Sequence, residues 1–254
     1  MMQSYRCQAL EQTGLVKAVV SFRNGGVSRT PFQSLNLAEH VGDHPEHVGI
    51  NRERFFASLS WPISRFLYCR QAHGSDIITI EPSKRGLKPP IADADAMISA
   101  EQGLALGVFI ADCVPIFILD SRTPAIGIVH AGWRGTLARI VEKTVTAMQR
   151  HFGSDPAQCL AHLGPSIQDC CYTVSESLAA QFEATFGPDV RAGEKLDLHA
   201  ANALQLIQAG VPQVNISRTS LCTACRTDLF FSHRAEGGTT GRMVALIGLA
   251  ENSM

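Results

Sequence analysis

Short segments rich in apolar and β-branched residues recur along the chain, and several are apolar on both faces of an extended strand. This pattern is typical of strands that are buried on both faces in a layered fold. Strands with one solvent-exposed face instead alternate apolar and polar residues. The predicted strands are VKAVVSF (16–22), RFLYCRQ (65–71), DIITIE (76–81), LALGVFIA (104–111), PIFILD (115–120), AIGIVHA (125–131), VNISRT (214–219) and MVALIGL (243–249).

Between these strands the apolar residues change to a helical spacing in three places. The first predicted helix has an apolar face formed by Leu137, Ile140, Val141, Val145 and Met148. Thr136 is its predicted N-cap, because a hydroxyl can accept a hydrogen bond from the first turn. Gly153 is its predicted end, because glycine readily adopts the left-handed conformation that closes a helix.

The second and third predicted helices lie in the C-terminal half of the chain. The tetrapeptide TVSE (173–176) has the form of a capping box, which predicts Thr173 at the start of a helix that ends at Gly187. Its apolar face is formed by Leu178, Phe182 and Phe186. The third helix is predicted to start near Asp197 and to end at Gly210.

The alternation of strands and helices predicts an α/β or α+β fold in which a mixed β-sheet is covered by helices. No internal repeat, low-complexity tract or linker divides the 254 residues. Residues 1–254 are therefore predicted to form a single layered domain. A chain of this length can bury a large hydrophobic core without the disulfides or structural metal ions that stabilise very small domains.

Composition and charge argue against some classes of partner. Charged residues make up 18% of the chain and the formal net charge is −1, so no basic surface for nucleic acid is indicated. No apolar run reaches the roughly 20 residues that span a bilayer, and the opening MMQSYRCQALEQ lacks the pattern of an export signal. We expect a cytoplasmic protein that binds a small molecule, with its oligomeric state left open.

The eight cysteines are scattered through the chain, and with no export signal this favours reduced thiols over a disulfide framework. Cys222 and Cys225 form a C-x-x-C in LCTACRTD. No second C-x-x-C and no H-x-x-x-H completes a zinc site with it, and no thioredoxin-like context surrounds it. We therefore predict that this pair is structural and neither redox-active nor metal-binding.

Three residues that bind zinc well stand at the ends of apolar runs: His73 in YCRQAHGSD, Cys113 in GVFIADCVP and His130 in GIVHAGWRG. Three protein ligands would leave a fourth tetrahedral position open, which is the arrangement of a catalytic zinc site. The spacing fits equally a histidine in a turn, a buried thiol and a core imidazole. The residues by themselves leave both interpretations open.

Several motifs together resemble the laccase-domain family, the YfiH-like proteins that are also called polyphenol oxidases and purine nucleoside phosphorylases. The motifs are RNGGVSRTPFQSLNLAEHVGD, QAHGSD, ADC, HAGWRG, LGPSIQDCCY and LCTACRTDLFFSHRAEGGTTGRM, and they run in order from about Arg23 to Leu249. The resemblance implies an α/β domain with a His-Cys-His zinc site at His73, Cys113 and His130.

The resemblance also implies activity on purine nucleosides: phosphorolysis of adenosine, inosine, guanosine and methylthioadenosine, and deamination of adenosine. Phosphate requires cationic and N–H donors, and the turn HAGWRGT with Arg134, at the start of a predicted helix, is the predicted anion site. Arg23 and Arg234 lie beside glycines and are further candidates. The alternative for Arg134 is an ordinary tight turn with a solvated side chain.

Deamination would need a carboxylate to move a proton beside the zinc site. Asp112, adjacent to Cys113, is the predicted catalytic carboxylate, and Asp76 is a second choice. An aspartate at the end of a strand also commonly accepts hydrogen bonds from a turn, and this is the alternative for Asp112.

Some residues depart from the family pattern, and the older laccase name can be tested against the sequence. Thr173 in YTV stands where many relatives have glutamate, and HRAEGG replaces a more usual basic run, so the substrate pocket is expected to differ. The nine histidines include no H-x-H pair, the arrangement that multicopper oxidases use, which makes copper a poor fit. In EHVGDHPEH, Gly42 and Pro45 interrupt any helix, which predicts a solvated loop.

Two further functions use the same residues. Cys113 could be a thiolate nucleophile with His130 as its base, acting on an amide such as a cell-wall precursor, since some relatives are described as peptidoglycan-editing factors. The protein could also bind nucleotides through a metal without turnover.

Overall fold

Two large mixed β-sheets form the centre of the molecule in the computed structural model, which describes residues 3–81 and 86–251. Within these residues the strands are β1 (Ser4–Arg6), β2 (Val16–Ser21), β3 (Phe66–Tyr68), β4 (Ile77–Ile80), β5 (Ala96–Ser99), β6 (Ala105–Ile110), β7 (Val114–Asp120), β8 (Ala125–Ala131), β9 (Cys159–Leu163), β10 (Arg191–Ala192), β11 (Lys195–Leu196), β12 (Ile216–Arg218) and β13 (Met243–Leu249).

The first sheet has the strand order β1-β2-β13-β6-β3, and the second has the order β12-β9-β7-β8-β5-β4. Most neighbours in both sheets are antiparallel, but β3–β6, β4–β5 and β9–β12 are parallel. The short strands β10 and β11 form a separate hairpin. The observed fold confirms the predicted α/β class, with two mixed sheets in place of one.

The helices in the described part of the chain are α1 (Gln8–Glu11), α2 (Pro45–Ser58), α3 (Trp133–Leu137), α4 (Ile140–Phe152), α5 (Glu176–Phe186) and α6 (Leu198–Gln208). Single 3-10 turns add to these, for example at Glu39–Val41. None of these helices has the length and apolar character needed to cross a bilayer.

The apolar core has three zones, which together make a helix, sheet, sheet, helix layering. Between the sheets, Leu106 and Ile247 of the first meet Phe117 and Ile128 of the second. The outer face of the second sheet packs against α4, α5 and α6, and the outer face of the first packs against α2. Every residue of β6, β7, β8 and β13 is buried, as expected for strands covered on both faces.

The first predicted helix is divided in two. Thr136 lies inside α3 and its hydroxyl donates to Asn202 of α6, so it does not cap α4. Arg139, with a φ of 59° in the left-handed region, separates α3 from α4. The predicted end is confirmed, because Gly153 is left-handed (φ 68°) after the last turn.

The other predicted helices are confirmed with one change of cap. Ser175, and not Thr173, accepts the hydrogen bond from Leu178 N at the start of α5. Asp197 caps α6 by accepting from Ala200 N, as predicted.

The sequence predicts a loop over the clustered histidines (39–47), and this prediction is wrong for residues 45–47. Pro45 begins α2, so His47 lies within a helix and His44 is the residue before it. Proline is tolerated in the first helical turn because the N–H it lacks would have no partner there. Gly42 does end the preceding 3-10 turn, because it adopts a left-handed conformation with a φ of 91°.

Candidate metal centre

His73, Cys113 and His130 lie together, and their potential ligand atoms are all within 4.8 Å of one another. The two imidazole rings are edge to face, with centroids 4.8 Å apart. His130 is buried, Cys113 is half-buried and His73 is exposed. The group therefore opens to solvent on the side of His73.

The strand register explains how two of these residues meet. The antiparallel strands β7 and β8 pair with Val114 opposite Ala131, so Cys113, just before β7, lies beside His130 near the end of β8. His73 comes from the loop between β3 and β4 and has a φ of 56°. Asp112 has a φ of 88°. Left-handed conformations cost energy in residues with a Cβ, so strain is concentrated here.

Asp95 holds two of the three residues in place, although the sequence analysis did not find it. Its buried Oδ1 lies 2.8 Å from His130 Nδ1 and accepts from His73 N at 3.0 Å. Its Oδ2 accepts from the backbone N–H groups of Ala72 and Gly74. When the Nδ1–H of His130 donates a hydrogen bond to this carboxylate, the lone pair of Nε2 is available to a metal ion, as in carboxylate–histidine–zinc arrangements.

Charges in the group reinforce one another. Burial alone would raise the pKa of Cys113, but the charge and hydrogen bond of His130, together with His73, lower it to about 6. Burial alone would lower the pKa of His130, but Cys113 and Asp95 raise it to about 9. Cys113 and His130 thus each favour the charged form of the other.

Close packing accounts for the glycines of HAGWRG. A Cβ at Gly132 would lie 3.1 Å from Cys113 Sγ and 3.3 Å from His73 Cδ2. A Cβ at Gly135 would lie 2.8 Å from the carbonyl oxygen of Gly74. The turn therefore needs glycine in order to pass close to Cys113, His73 and the carbonyl of Gly74. The helix that begins here, α3, has only five residues, so it offers little of the expected helix dipole.

The Arg134 side chain is exposed and available to a ligand. Its guanidinium lies over the ring of Trp133, with 4.3 Å between Cζ and the ring centroid. It forms no hydrogen bond or ion pair with residues 3–81 or 86–251. It comes two residues after Gly132, whose backbone passes close to Cys113 and His73, and the charges of Arg134 and Cys113 both act on the pKa of Tyr172.

A hydrogen bond connects the backbone of Arg234 to the side chain of Asp112. The backbone N–H of Arg234 donates to Asp112 Oδ2 at 2.7 Å, and Thr223 Oγ1 donates to Asp112 Oδ1 at 2.6 Å. Arg234 Nη1 donates to the Thr173 carbonyl, and its guanidinium lies over Tyr172. Both Asp112 oxygens thus have protein partners, which favours the positioning alternative for this residue.

The guanidinium of Arg23 forms hydrogen bonds and an ion pair with other residues of the chain. Its Nε and Nη2 donate to the Gln33 carbonyl, and its Nη1 donates to the carbonyls of Thr227 and Phe230. It also forms an ion pair of 3.0 Å with Glu236. These contacts favour a structural role, because every guanidinium nitrogen already has an acceptor. Asp76, the second choice for a proton carrier, is exposed.

Arg242, Tyr172 and His40 also border the group and were not predicted as site residues. Burial lowers the pKa of Arg242, while the acidic groups of Cys113 and Asp112 act in the opposite direction. Burial raises the pKa of Tyr172 to about 12, and the charge of Cys113 adds to this. The pKa of His40 is lowered by burial and by Arg242. Of these three residues only Arg242 adds a positive charge, because the raised pKa of Tyr172 and the lowered pKa of His40 both favour the neutral form.

The C-x-x-C has partners that the sequence analysis overlooked. Cys170 and Cys171 lie against Cys222 and Cys225, and the four thiols are within 4.8 Å of one another. The sequence analysis found no further ligands that could form a metal site with Cys222 and Cys225. The structure shows that Cys170 and Cys171 are such candidates.

Comparison with known proteins gives the family. A family model described as multi-copper polyphenol oxidoreductase laccase matches residues 17–250. The chain belongs to this family. The resemblance found in the motifs is thus confirmed.

Relatives in this family share most of their length with the chain. The purine nucleoside phosphorylase YlmD of Geobacillus stearothermophilus is 38% identical, over 97% of this chain and 94% of the relative. The purine nucleoside phosphorylase YfiH of Escherichia coli K12 is 35% identical, over 92% of this chain and 94% of the relative. The crystal structure of YlmD from Geobacillus stearothermophilus has a TM-score of 0.87 at 37% identity and covers 93% of this chain and 92% of that chain.

The donor set decides which metal fits best. Two imidazoles and one thiolate suit zinc, and the carboxylate behind His130 is the usual second partner of a zinc-binding histidine. Among the described residues, the only other group of histidine, cysteine and acidic side chains suited to a metal is the four-thiol one. Neither group is the histidine-rich arrangement of a multicopper oxidase.

We expect Asp95→Asn to weaken metal binding by about 10-fold to 100-fold, because the carboxylate orients His130 and raises its basicity. The measurement is zinc affinity by competition with a chelator. Asp93→Asn is the matched control, since Asp93 lies two residues away in an exposed ion pair with Arg70. Equal zinc affinity in the Asp95 variant and the wild type would contradict the role assigned to Asp95.

We expect Arg23→Ala to lower the free energy of unfolding by on the order of 2 kcal/mol, because partly buried carbonyls and Glu236 lose a charged donor. Chemical denaturation measures this, with exposed Arg29→Ala as the control. Unchanged stability, together with weaker phosphate binding, would return Arg23 to the substrate site.

Proposed function

We propose that this chain is a zinc-dependent purine nucleoside phosphorylase that acts on adenosine, inosine, guanosine and methylthioadenosine and also deaminates adenosine. The observation that carries the proposal is the His73, Cys113 and His130 group, with an exposed Arg134 two residues after Gly132, whose backbone passes close to Cys113 and His73. Relatives named purine nucleoside phosphorylase, at 33–38% identity over most of the chain, support it.

His73, Cys113 and His130 would hold the zinc ion, and Asp95 would fix the orientation of His130. A zinc ion with three protein ligands supplies a Lewis acid with one open position. Cys113 is suited to this role because its thiolate form is already favoured by the two histidines.

The cations around the group would bind phosphate. Phosphorolysis develops positive charge on the ribose, so the enzyme must hold an anionic nucleophile in line with the bond that breaks. Arg134 is exposed with no acceptor among the described residues, whereas Arg234 is held by Thr173 and stacked on Tyr172. Arg134 would contact phosphate directly, and Arg234 and Arg242 would add positive potential.

A cavity of about 220 Å³ would receive the purine base. It lies beside the loop of His73 and is lined in part by His40, Tyr68, Gln71 and Phe109. Flat aromatic rings offer the surfaces on which a purine stacks.

Deamination of adenosine would require a proton carrier near the metal. Asp112 remains the predicted carboxylate, but its two hydrogen bonds from Thr223 and Arg234 must weaken before it can exchange a proton. This requirement makes phosphorolysis the principal activity in our proposal.

A second candidate function is cysteine-dependent hydrolysis of an amide. The favouring observation is that Cys113, His130 and Asp95 are arranged as a nucleophile, a base and an orienting carboxylate, with 2.8 Å between His130 Nδ1 and Asp95 Oδ1. His73 has no role in such a triad, so it separates the two functions.

We expect Arg134→Ala to raise the KM for phosphate by on the order of 10-fold to 100-fold with a small effect on the KM for nucleoside, because a charge-assisted contact is lost. Steady-state kinetics at varied phosphate measure this. Arg122→Ala, at the opposite end of the β7–β8 hairpin, is the control. An unchanged phosphate dependence would remove Arg134 from the site.

We expect His73→Ala to lose the zinc of this site and nearly all phosphorolysis, while Cys113 still reacts with alkylating reagents. Loss of one ligand weakens zinc binding, but the fold has a large core of its own. Elemental analysis and nucleoside turnover are the measurements, with exposed His151→Ala as the control. Full phosphorolysis in a folded variant that has lost this zinc would contradict the zinc dependence, and amide hydrolysis retained in that variant would favour the cysteine hydrolase.

A further inference from the structure

Four cysteines form a cluster outside the site already described. Cys170 and Cys171 come from the turn after β9, and Cys222 and Cys225 come from the segment after β12. Their sulfur atoms lie within 4.8 Å of one another. Among these, Cys170 and Cys171 are 3.8 Å apart, Cys170 and Cys225 are 3.7 Å apart, and Cys171 and Cys225 are 3.3 Å apart.

The distances of 3.7 Å and 3.8 Å match the edges of a zinc tetrahedron, whereas Cys171 and Cys225, at 3.3 Å, are closer together. With a Zn–S bond of about 2.3 Å, tetrahedral geometry places the sulfurs about 3.8 Å from one another. A disulfide would need a separation of about 2.0 Å and would join the sulfurs only in pairs. We propose that Cys170, Cys171, Cys222 and Cys225 bind a second metal ion, a structural zinc held by four thiolates.

The backbone brings the two cysteine segments together without a metal. Ser166 forms a parallel bridge with Cys222, and Thr223 N donates to the Ser166 carbonyl at 3.0 Å. Gln168 N donates to Cys222 Sγ at 3.4 Å. N–H groups aimed at a sulfur stabilise its thiolate form, which is the form that binds a metal.

Four thiolates would close the coordination shell, so this ion would have no open position for a substrate. Its effect would be to fix the two segments that border the first metal-binding group. Tyr172 and Thr173, which hold the Arg234 side chain, directly follow Cys171. Thr223, whose hydroxyl holds Asp112, directly follows Cys222. The second ion would thereby keep one wall of the substrate site in position.

Metal content tests the proposal independently of activity. Wild-type protein purified without chelators should contain about two zinc ions per chain by elemental analysis, one in each proposed site. Cys225→Ala and Cys170→Ala should each lower this to about one. Cys7→Ala is the matched control, because Cys7 is a fully buried thiol outside both groups, and it should keep the wild-type content.

Cobalt substitution in the His73→Ala background reports on the four-thiol site separately, even if a cysteine variant folds poorly. We expect intense thiolate-to-cobalt charge-transfer absorption with tetrahedral visible bands, all absent when Cys225→Ala is added. The proposal is overturned if His73→Ala binds no cobalt with these bands, or if Cys225→Ala keeps the full zinc content. It is also overturned if mass spectrometry of the alkylated wild type shows these cysteines joined in disulfides.

Discussion

The hydrogen bond between Asp95 and His130 is the contact on which the site depends. The Asp95 carboxylate is buried and joins the start of β5, the loop that carries His73, and the end of β8. Burial would raise its pKa, but the charge and hydrogen bonds around it lower the pKa below the usual value, so it remains ionised. A buried charge is stable only when such partners surround it, and here they are the metal-binding residues and their backbone. One carboxylate thus determines both the orientation of a ligand and the path of a loop.

Most of the longer strands were predicted from local apolar runs, whereas the candidate metal ligands were assigned through the family resemblance, because their positions alone left other interpretations open. Continuous apolar runs mark β6, β7, β8 and β13, and His73, Cys113 and His130 stand where such runs end. The helix α2 was missed because only a few of its residues face the core, among them Phe55 and Phe56. The strand β9 (CLAHL) was missed because it has no β-branched residue and His162 interrupts its apolar run.

The supporting residues could not be predicted because they act across long separations in the chain. Asp95 reaches His130 over 35 residues, and Cys171 reaches Cys225 over 54. The adjacent cysteines 170 and 171 do not have the C-x-x-C spacing that usually signals a zinc site, so only the fold shows that they lie against Cys222 and Cys225. An aspartate one residue before a buried strand, as in DADAMIS, is the one local sign that could have indicated Asp95.

The two thiol-containing groups differ in what they leave open. His73, Cys113 and His130 provide three donors, which would leave a fourth tetrahedral position open, whereas the four cysteines would fill all four positions. The same two segments connect them, since Tyr172 and Thr173 follow Cys171, and Asp112 is held by Thr223. A reactive centre needs an open coordination position and side chains that are held in place around it. In the proposed arrangement the three-residue group provides the open position, and the cysteine cluster holds the neighbouring segments. The order of the wall that carries Arg234 therefore depends on contacts made at the cysteine cluster as well as on those at the metal-binding group.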